Sequence, residues 1–162
     1  MAGKSFWGLE FDELPKMSKE DWVLLSLARQ KKGRTIRSAV LMNEVFFFIK
    51  EFAPAMEVEF GFRGTGFGPF SKVAATAVEK LHTEDFISIQ KNKNTGICYY
   101  SLTDRGNSRY ESLCAKISKK EQERIKFAGF LAQRMGALGT QQYLISVHPE
   151  YVFVCTAGDA SV

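Results

Sequence analysis

The most informative part of the chain runs from Val78 to Leu113 and reads VEKLHTEDFISIQKNKNTGICYYSLTDRGNSRYESL. A helical pattern ends at Leu81 and is followed by a short polar turn. Residues 86–90 and 97–102 have the pattern of two strands, and the polar, glycine-containing segment between them predicts a β-hairpin. Thr103 is a typical N-cap residue, so we expect another helix to begin directly after the hairpin.

Three helices are predicted on the N-terminal side of this hairpin. The first begins at Ser18, a capping residue, and ends at Gly33. The second runs from about Ile36 to Phe52 and is apolar nearly all round, so we expect it to be the central and most buried helix. The third begins at Phe70 and Ser71 and leads directly into the hairpin.

The segment between the second and third helices is predicted to be a strand followed by a connector. Residues 56–62 read MEVEFGF. Their alternation of apolar and acidic side chains predicts a half-buried strand, with Glu57 and Glu59 on its solvent side. The next segment, RGTGFGP at 63–69, lacks the GK[ST] ending of a phosphate-binding loop, so we interpret it as a flexible connector.

A helical extension is predicted after the helix that Thr103 opens. Ser118 and Glu121 predict a capping box for a fifth helix that ends near Gly136, and residues 140–147 predict a short sixth helix. The expected organisation is an N-terminal arm (1–17), one domain (18–117), a C-terminal helical extension (118–150) and a flexible tail (151–162).

The segment that leaves the hairpin carries a family resemblance. Tyr100, Leu102, Thr103 and Gly106 form a Y-x-L-T-x-x-G pattern, which resembles the winged helix-turn-helix superfamily over roughly residues 19–117. The GPFS start of the third helix is similar to a set of small prokaryotic winged-helix proteins, most of which have no assigned function. The resemblance implies an α+β fold of helices and a β-hairpin wing, with additional C-terminal helices.

The resemblance also implies where DNA would be contacted. A recognition helix needs a polar face for the major groove, and a wing needs cations for phosphates. The third helix and the wing supply such residues, although each is equally typical of a solvated surface. A cationic segment between the first two helices, ARQKKGRTIR at 28–37, is a second candidate phosphate contact. The predicted DNA-binding residues are Ser71, Lys72, Thr76, Lys80, Lys91, Asn92, Lys93, Asn94, Arg34 and Arg37.

Composition bounds the class of protein. Hydrophobic residues make up 45% and charged residues 25% of the 162 residues, which is ordinary globular usage. The net charge of +4 is compatible with a polyanionic partner. Apolar runs such as Val45–Ile49 are too short to span a membrane, and the first residues do not resemble a signal peptide. We therefore expect a cytoplasmic protein with no membrane partner.

The sequence predicts neither an enzyme nor a cofactor. No two of the cysteines, Cys98, Cys114 and Cys155, have CxxC spacing, and only His82 and His148 could join them as soft ligands. A nucleophilic cysteine would need an activating base, and Cys98 lies inside an apolar strand. We expect free cysteines, no metal and no catalytic centre.

Two functional hypotheses follow. The first is a transcriptional regulator that binds double-stranded DNA through the third helix and the basic wing, as a homodimer. Phe127 and Phe130 lie on a second face of helix 118–136, which is interpreted either as a dimer seam or as part of the core. The alternative is a winged-helix protein–protein interaction module, an accessory protein of a phage or toxin–antitoxin system, without DNA binding. Its working surface would comprise the N-terminal arm, the inserted loop and the acidic strand face.

Overall fold

The computed structural model describes residues 16–28, 36–65 and 68–151. In these ranges the helices are α1 (Lys19–Ala28), α2 (Ser38–Phe52), α3 (Glu57–Phe60), α4 (Lys72–Thr83), α5 (Asp104–Ala115) and α6 (Lys119–Val147). The strands are β1 (Ile36–Arg37), β2 (Arg63–Thr65), β3 (Gly68–Phe70), β4 (Ile87–Lys91) and β5 (Cys98–Leu102), and short 3₁₀ turns occupy Pro54–Met56 and Pro149–Tyr151. In one antiparallel sheet β5 lies between β1 and β4, and β2 pairs with β3 in a separate hairpin.

Helix α2 is the centre of the core, as the sequence predicts. Its consecutive residues Phe46, Phe47 and Phe48 are all fully buried. Successive residues of an α-helix point about 100° apart, so three buried neighbours require packing on several sides. Phe48 faces Trp22 of α1 at a ring-centroid distance of 6.4 Å, and Phe47 faces Tyr143 of α6 at 5.5 Å. Phe46 packs near the β2–β3 hairpin, against Phe62 at a ring-centroid distance of 4.9 Å and Tyr151 at 4.8 Å.

The predicted hairpin and the helix after it are confirmed, and a tight joint holds them together. Thr103 Oγ1 accepts a hydrogen bond from Gly106 N (3.0 Å), which caps α5, and donates one to the carbonyl oxygen of Asp85 (2.6 Å). The backbone N–H of Thr103 donates to the carbonyl oxygen of Phe86 at 3.2 Å. A Cβ atom on Gly106 would lie only 2.1 Å from that Phe86 oxygen. The Thr and Gly of the Y-x-L-T-x-x-G pattern therefore fix the base of the hairpin.

Helix α1 connects α4 and α5. Its predicted cap is confirmed, because Ser18 Oγ accepts a hydrogen bond from Asp21 N at 3.1 Å. The Asp21 carboxylate in turn accepts a hydrogen bond from Nε of Arg109 in α5 at 2.9 Å, and Nη2 of the same guanidinium lies 2.8 Å from the same oxygen. On another side, α4 packs against α1 and buries Ala77 and Leu81.

The strand predicted at residues 56–62 is wrong. The segment forms a 3₁₀ turn and then α3, which ends at Gly61 in the left-handed conformation (φ 60°). A strand would place Val58 and Phe60 on the same face, yet Val58 is 86% exposed and Phe60 is fully buried. Pro54 at the start of the turn favours a helical φ, and Gly61 supplies a C-terminal stop. Local helix signals thus prevail over the alternation of side chains.

Two further features differ from expectation. The second helix begins at Ser38 rather than about Ile36, because Ile36 and Arg37 pair with Tyr100 and Tyr99 of β5 as strand β1. Residues 63–65 and 68–69, interpreted as a flexible connector, and Phe70, interpreted as the start of the third helix, instead form β2 and β3, and α4 begins at Lys72. The partner of β1 comes from a distant segment, whereas β2 and β3 pair locally with each other.

Helix α6 belongs partly to the core and partly to the surface. Ser118 Oγ accepts a hydrogen bond from Glu121 N at 3.2 Å, which confirms the predicted cap. Ile125 and Ala128 are fully buried, whereas Phe127 and Phe130 are 45% and 54% exposed. Gly136 (φ 67°, ψ −177°) interrupts the helical geometry near the predicted end of the fifth helix.

The end of the described chain is anchored by a polar cluster beneath the β2–β3 hairpin. Lys50 Nζ lies 2.5 Å from Glu57 Oε1, and the hydroxyl of Tyr151 donates to the same oxygen at 2.5 Å. The Lys50 ammonium also lies 5.0 Å from the centre of the Tyr151 ring. A Cβ on Gly64 of β2 would come within 2.8 Å of the Glu150 carbonyl oxygen, so this close approach requires glycine.

Several expectations concern residues outside the described ranges. They are the arm over residues 1–15, the end of the first helix at Gly33, the cations Arg29, Lys31, Lys32 and Arg34, and the tail from residue 152 onward. Within the described ranges the chain is mostly helical with a small antiparallel sheet, an α+β arrangement compatible with a winged helix-turn-helix domain.

The Gly106 contact generates a stability prediction. Gly106→Ala should destabilise the protein by about 1–3 kcal/mol, because the new methyl group overlaps the Phe86 carbonyl oxygen and disturbs the Thr103 cap. Helix propensity alone would make alanine more stabilising than glycine here by about 1 kcal/mol. A loss of stability would therefore point to the contact with Phe86. Chemical denaturation measures the effect, with Ser108→Ala on the exposed side of α5 as the matched control. A Gly106→Ala variant as stable as the control would contradict this account.

The anchoring cluster generates a pH prediction. Burial, reinforced by the nearby Lys50 charge, lowers the pKa of His148, although Glu150, Glu51 and Glu57 oppose the shift. Because the folded-state pKa of His148 lies below the unfolded value of 6.5, the neutral imidazole is favoured in the folded protein. The contribution of His148 to the free energy of unfolding is therefore fully present above pH 6.5 and is lost as pH falls through the folded pKa.

His148→Phe, which keeps a ring against Phe46, should therefore lose less stability than the parent between about pH 7.5 and 5. Glu57 does not interfere in this window. Its burial raises the pKa, but hydrogen bonds from Lys50 and Tyr151 outweigh burial, so the net pKa lies below 4.5. Urea midpoints across the window measure the difference, and parallel pH profiles of parent and variant would rule out His148 as the cause.

Candidate nucleic-acid interface

The outer face of α4 is polar and continuous. Lys72, Thr76 and Lys80 are spaced four residues apart, which places them along one line of the helix. All three are exposed, as is the neighbouring Glu79. The opposite face buries Ala74, Ala77, Val78 and Leu81 in the core. The core-facing side of α4 therefore fixes its orientation, and the polar line is left on the surface.

Ser71 requires a correction. The sequence places it among the DNA-contacting side chains, but it is fully buried. Its hydroxyl donates to the carbonyl oxygen of Phe60 at 2.6 Å and accepts from Ala74 N at 3.0 Å. These two hydrogen bonds cap α4 and connect it to α3, so the Ser71 hydroxyl is not accessible to a ligand.

The N-terminal turn of α1 runs beside the polar line of α4. An open groove of about 400 Å³ lies on the surface where the two helices meet and is lined by Lys19, Glu20, Lys72, Val73, Thr76 and Ala77. Two lysines at this junction already have carboxylate partners. Lys80 Nζ lies 3.4 Å from Glu20 Oε1, and Lys19 Nζ lies 3.2 Å from Glu59 Oε2. Lys72 has no ion-pair partner among the described residues.

The tip of the β4–β5 hairpin is an ordered turn that is entirely exposed. Asn92 Oδ1 accepts hydrogen bonds from the backbone N–H groups of Asn94 (2.9 Å) and Thr95 (3.2 Å). Gly96 has a φ of 70° and closes the turn by donating to the Asn92 carbonyl oxygen at 2.8 Å. The side-chain oxygen of Asn92 is thus used within the turn, and its amide nitrogen remains as a donor.

The lysines of the wing differ in their surroundings from those of α4. Lys91 and Lys93 are exposed, and neither has an ion-pair partner among the described residues. Surface cations of this kind can neutralise phosphates without first giving up another partner. Asn94 is exposed beside them. The assignment of these side chains as DNA contacts stays a prediction.

The two arginines predicted near the first helix junction are not brought into this site by any described contact. Arg34 lies outside the described residues. The backbone of Arg37 belongs to β1 and pairs with Tyr99.

Two residues near the site were not singled out by the sequence. Glu20 is an acidic residue in the first turn of a helix, which is too common a pattern to mark a contact with α4. Arg105 is exposed at the start of α5, and its guanidinium lies 4.7 Å from the centre of the Phe86 ring, at the base of the wing. Both positions depend on packing between distant segments.

Metal binding and thiol catalysis each need particular side-chain arrangements, and two findings in the described ranges bear on them. No group of three or more His, Cys, Asp or Glu side chains there is placed to hold a metal ion. Burial raises the pKa of the Cys114 thiol, which disfavours a thiolate nucleophile. None of the helices in the described ranges combines the length and apolar character needed to cross a membrane.

No protein-family model and no curated protein matches the chain. Among solved structures, a mutant of ZitR from Lactococcus lactis is similar over 76% of this chain and 78% of its own, with 18% sequence identity and a TM-score of 0.33. A likeness at this level is too low to support an argument about fold or function.

Proposed function

We propose that this protein binds double-stranded DNA as a transcriptional regulator of the winged helix-turn-helix type. One observation at the hairpin tip carries the proposal. Lys91 at the end of β4 and Lys93 in the ordered turn that follows are exposed, and neither has a carboxylate partner among the described residues. The exposed polar line of α4 lies immediately before the same hairpin along the chain. This combination of a polar helix face and a cationic wing suits contacts to base edges and phosphates.

The two parts of the interface are proposed to have different roles. Lysines on the hairpin tip neutralise phosphates, which gives affinity that does not depend on sequence. Thr76 and Lys72 on α4 are the candidates for contacts to base edges, because a helix can enter the major groove. The Thr103–Gly106 joint fixes the hairpin relative to the start of α5, so the wing extends from a rigid base.

We also propose that the protein acts as a homodimer through α6. The rings of Phe127 and Phe130 stack on each other at a centroid distance of 6.3 Å and remain about half exposed, and Leu138 is exposed further along the helix. A stable interface buries about 800 Å² per partner, which is more than these side chains expose. A two-fold contact must therefore extend along α6. Two copies would present two wings to adjacent half-sites.

The alternative is a protein–protein interaction module, and the same exposed phenylalanines favour it. The acidic strand face expected for that function does not exist, since Glu57 and Glu59 lie on α3 and pair with Lys50 and Lys19. The inserted β2–β3 hairpin packs against α2 and the C-terminal 3₁₀ turn. Among the described residues, the module hypothesis is therefore supported by the exposed α6 face and not by the surfaces that the sequence predicts for it. DNA binding distinguishes the two functions.

Fluorescence anisotropy on a random duplex at low salt tests the DNA-binding proposal. The parent should bind, with an affinity that falls linearly with salt on a double-logarithmic plot. Lys91→Ala with Lys93→Ala should make the slope shallower by about 1.8, from about 0.9 per lost phosphate contact. Lys116→Ala with Lys119→Ala removes the same charge from exposed positions elsewhere and should change the slope less. Equal slopes in the two double variants would exclude the wing as the phosphate contact.

Light scattering coupled to size exclusion tests the dimer. The parent should be a dimer at micromolar concentration. Phe127→Glu with Phe130→Glu should give a monomer with an unchanged circular dichroism spectrum, because both side chains lie outside the core. It should also bind DNA more weakly, having lost the second half-site. Val58→Glu, at an exposed position on α3, is the control that should remain dimeric. A monomeric parent would refute the proposed assembly.

A further inference from the structure

The α4 line contains a lysine whose charge is already engaged. Lys80 Nζ lies 3.4 Å from Glu20 Oε1, and the side chains of the two residues are 57% and 23% exposed. The pair joins α4 to the first turn of α1. Because α1 and α4 pack together through buried side chains such as Ala77 and Leu81, the carboxylate is held beside the lysine by the fold.

The carboxylate is ionised at neutral pH. A hydrogen bond from the backbone is the largest cause of a lowered pKa at Glu20; partial burial opposes it, and Lys80 lowers the pKa further. Glu20 therefore presents a full negative charge at the edge of the same groove that Lys72 and Thr76 line.

We infer that Glu20 is an intramolecular competitor of the DNA phosphates for Lys80, so that Lys80 is withheld from the duplex in the parent protein. The inference rests on the proposed DNA-binding function and concerns the regulation of affinity at that same site. Carboxylate and phosphate oxygens are acceptors of the same kind for an ammonium group. A tethered carboxylate is always present at high effective concentration, whereas the phosphate must be brought in from solution.

The lysines of the proposed interface therefore fall into two groups, those already paired with a carboxylate and those free to contact DNA. Lys91 and Lys93 on the wing have no described ion-pair partner and contribute to phosphate binding. Lys72 on α4 has no described ion-pair partner either, and it remains available for base edges. Lys80 adds little while Glu20 is present. Glu20 thus lowers the part of the DNA affinity that α4 would contribute independently of base sequence. A larger share of the total affinity then depends on base contacts.

The test is the salt dependence of binding to a random duplex, measured for full-length Glu20→Gln. Glutamine keeps the size of the side chain but removes the competing charge. Release of Lys80 should steepen the slope by about 0.9, for one additional phosphate contact. It should also tighten binding at low salt by about two- to five-fold, the range that a partly exposed ion pair supports. Thermal melts verify that each variant is folded.

Two further variants separate this mechanism from a general change in charge. Glu79→Gln alters the net charge by the same amount on the exposed face of α4 but releases no lysine, so its slope should equal that of the parent. Lys80→Ala should leave the parental slope unchanged and should abolish the extra slope of Glu20→Gln when the two are combined. This pattern identifies Lys80 as the released group.

The results distinguish failure of the inference from failure of the function. If the parent binds DNA and Glu20→Gln has the parental slope, Glu20 does not withhold Lys80 and the inference is overturned. The same holds if Lys80→Ala does not remove the extra slope. If neither the parent nor any variant binds duplex DNA at low salt, the proposed function itself is overturned.

Discussion

The burial of three consecutive phenylalanines on α2 is the constraint on which the rest of the structure depends. A single helix cannot hide three adjacent aromatic side chains against one neighbour, because they point in different directions. Phe48 packs against α1 and Phe47 against α6. Phe46 packs against Phe62, which directly precedes β2, and against Tyr151 of the C-terminal 3₁₀ turn. Each fully buried ring contributes about 1.5–3 kcal/mol of transfer free energy. The N-terminal helix, the inserted hairpin and the C-terminal extension are all held by this one helix.

This arrangement sets the geometry of the candidate interface. Once α1 is held against α2, it provides the surface on which α4 packs, and the small residues of α4 allow a close approach. The polar line of α4 is left outward. Helix α1 also holds α5 through Asp21 and Arg109, and α5 holds the hairpin through Thr103 and Gly106. The helix face and the wing are therefore connected through a chain of direct contacts to the same core.

Charge placement within this frame is more informative than net charge. The lysines of the wing are exposed on a short, ordered turn, whereas Lys80 and Lys19 are each paired with a carboxylate from another helix. Surface ion pairs contribute little to stability, typically below about 1 kcal/mol. Under the proposed function they matter more for ligand binding, because each pair would determine whether its cation is available to a phosphate. The fold thus controls which cations can act at the interface.

Elements whose signals are local follow from the sequence alone. Caps at Ser18, Thr103 and Ser118, the hairpin with its polar turn, and the all-round apolar character of α2 depend on neighbours within a few residues, so they were predictable. Tertiary structure decided the rest. Strand β1 exists because β5 lies beside it, Ser71 is buried because α3 lies against the start of α4, and Glu20 meets Lys80 because two helices sixty residues apart in the chain pack together. Residues 56–62 are an exception, since Pro54 and Gly61 are local helix signals that compete with the alternating pattern and prevail over it. Contacts between distant segments have no periodic signature in one sequence, and they fix which polar side chains remain accessible.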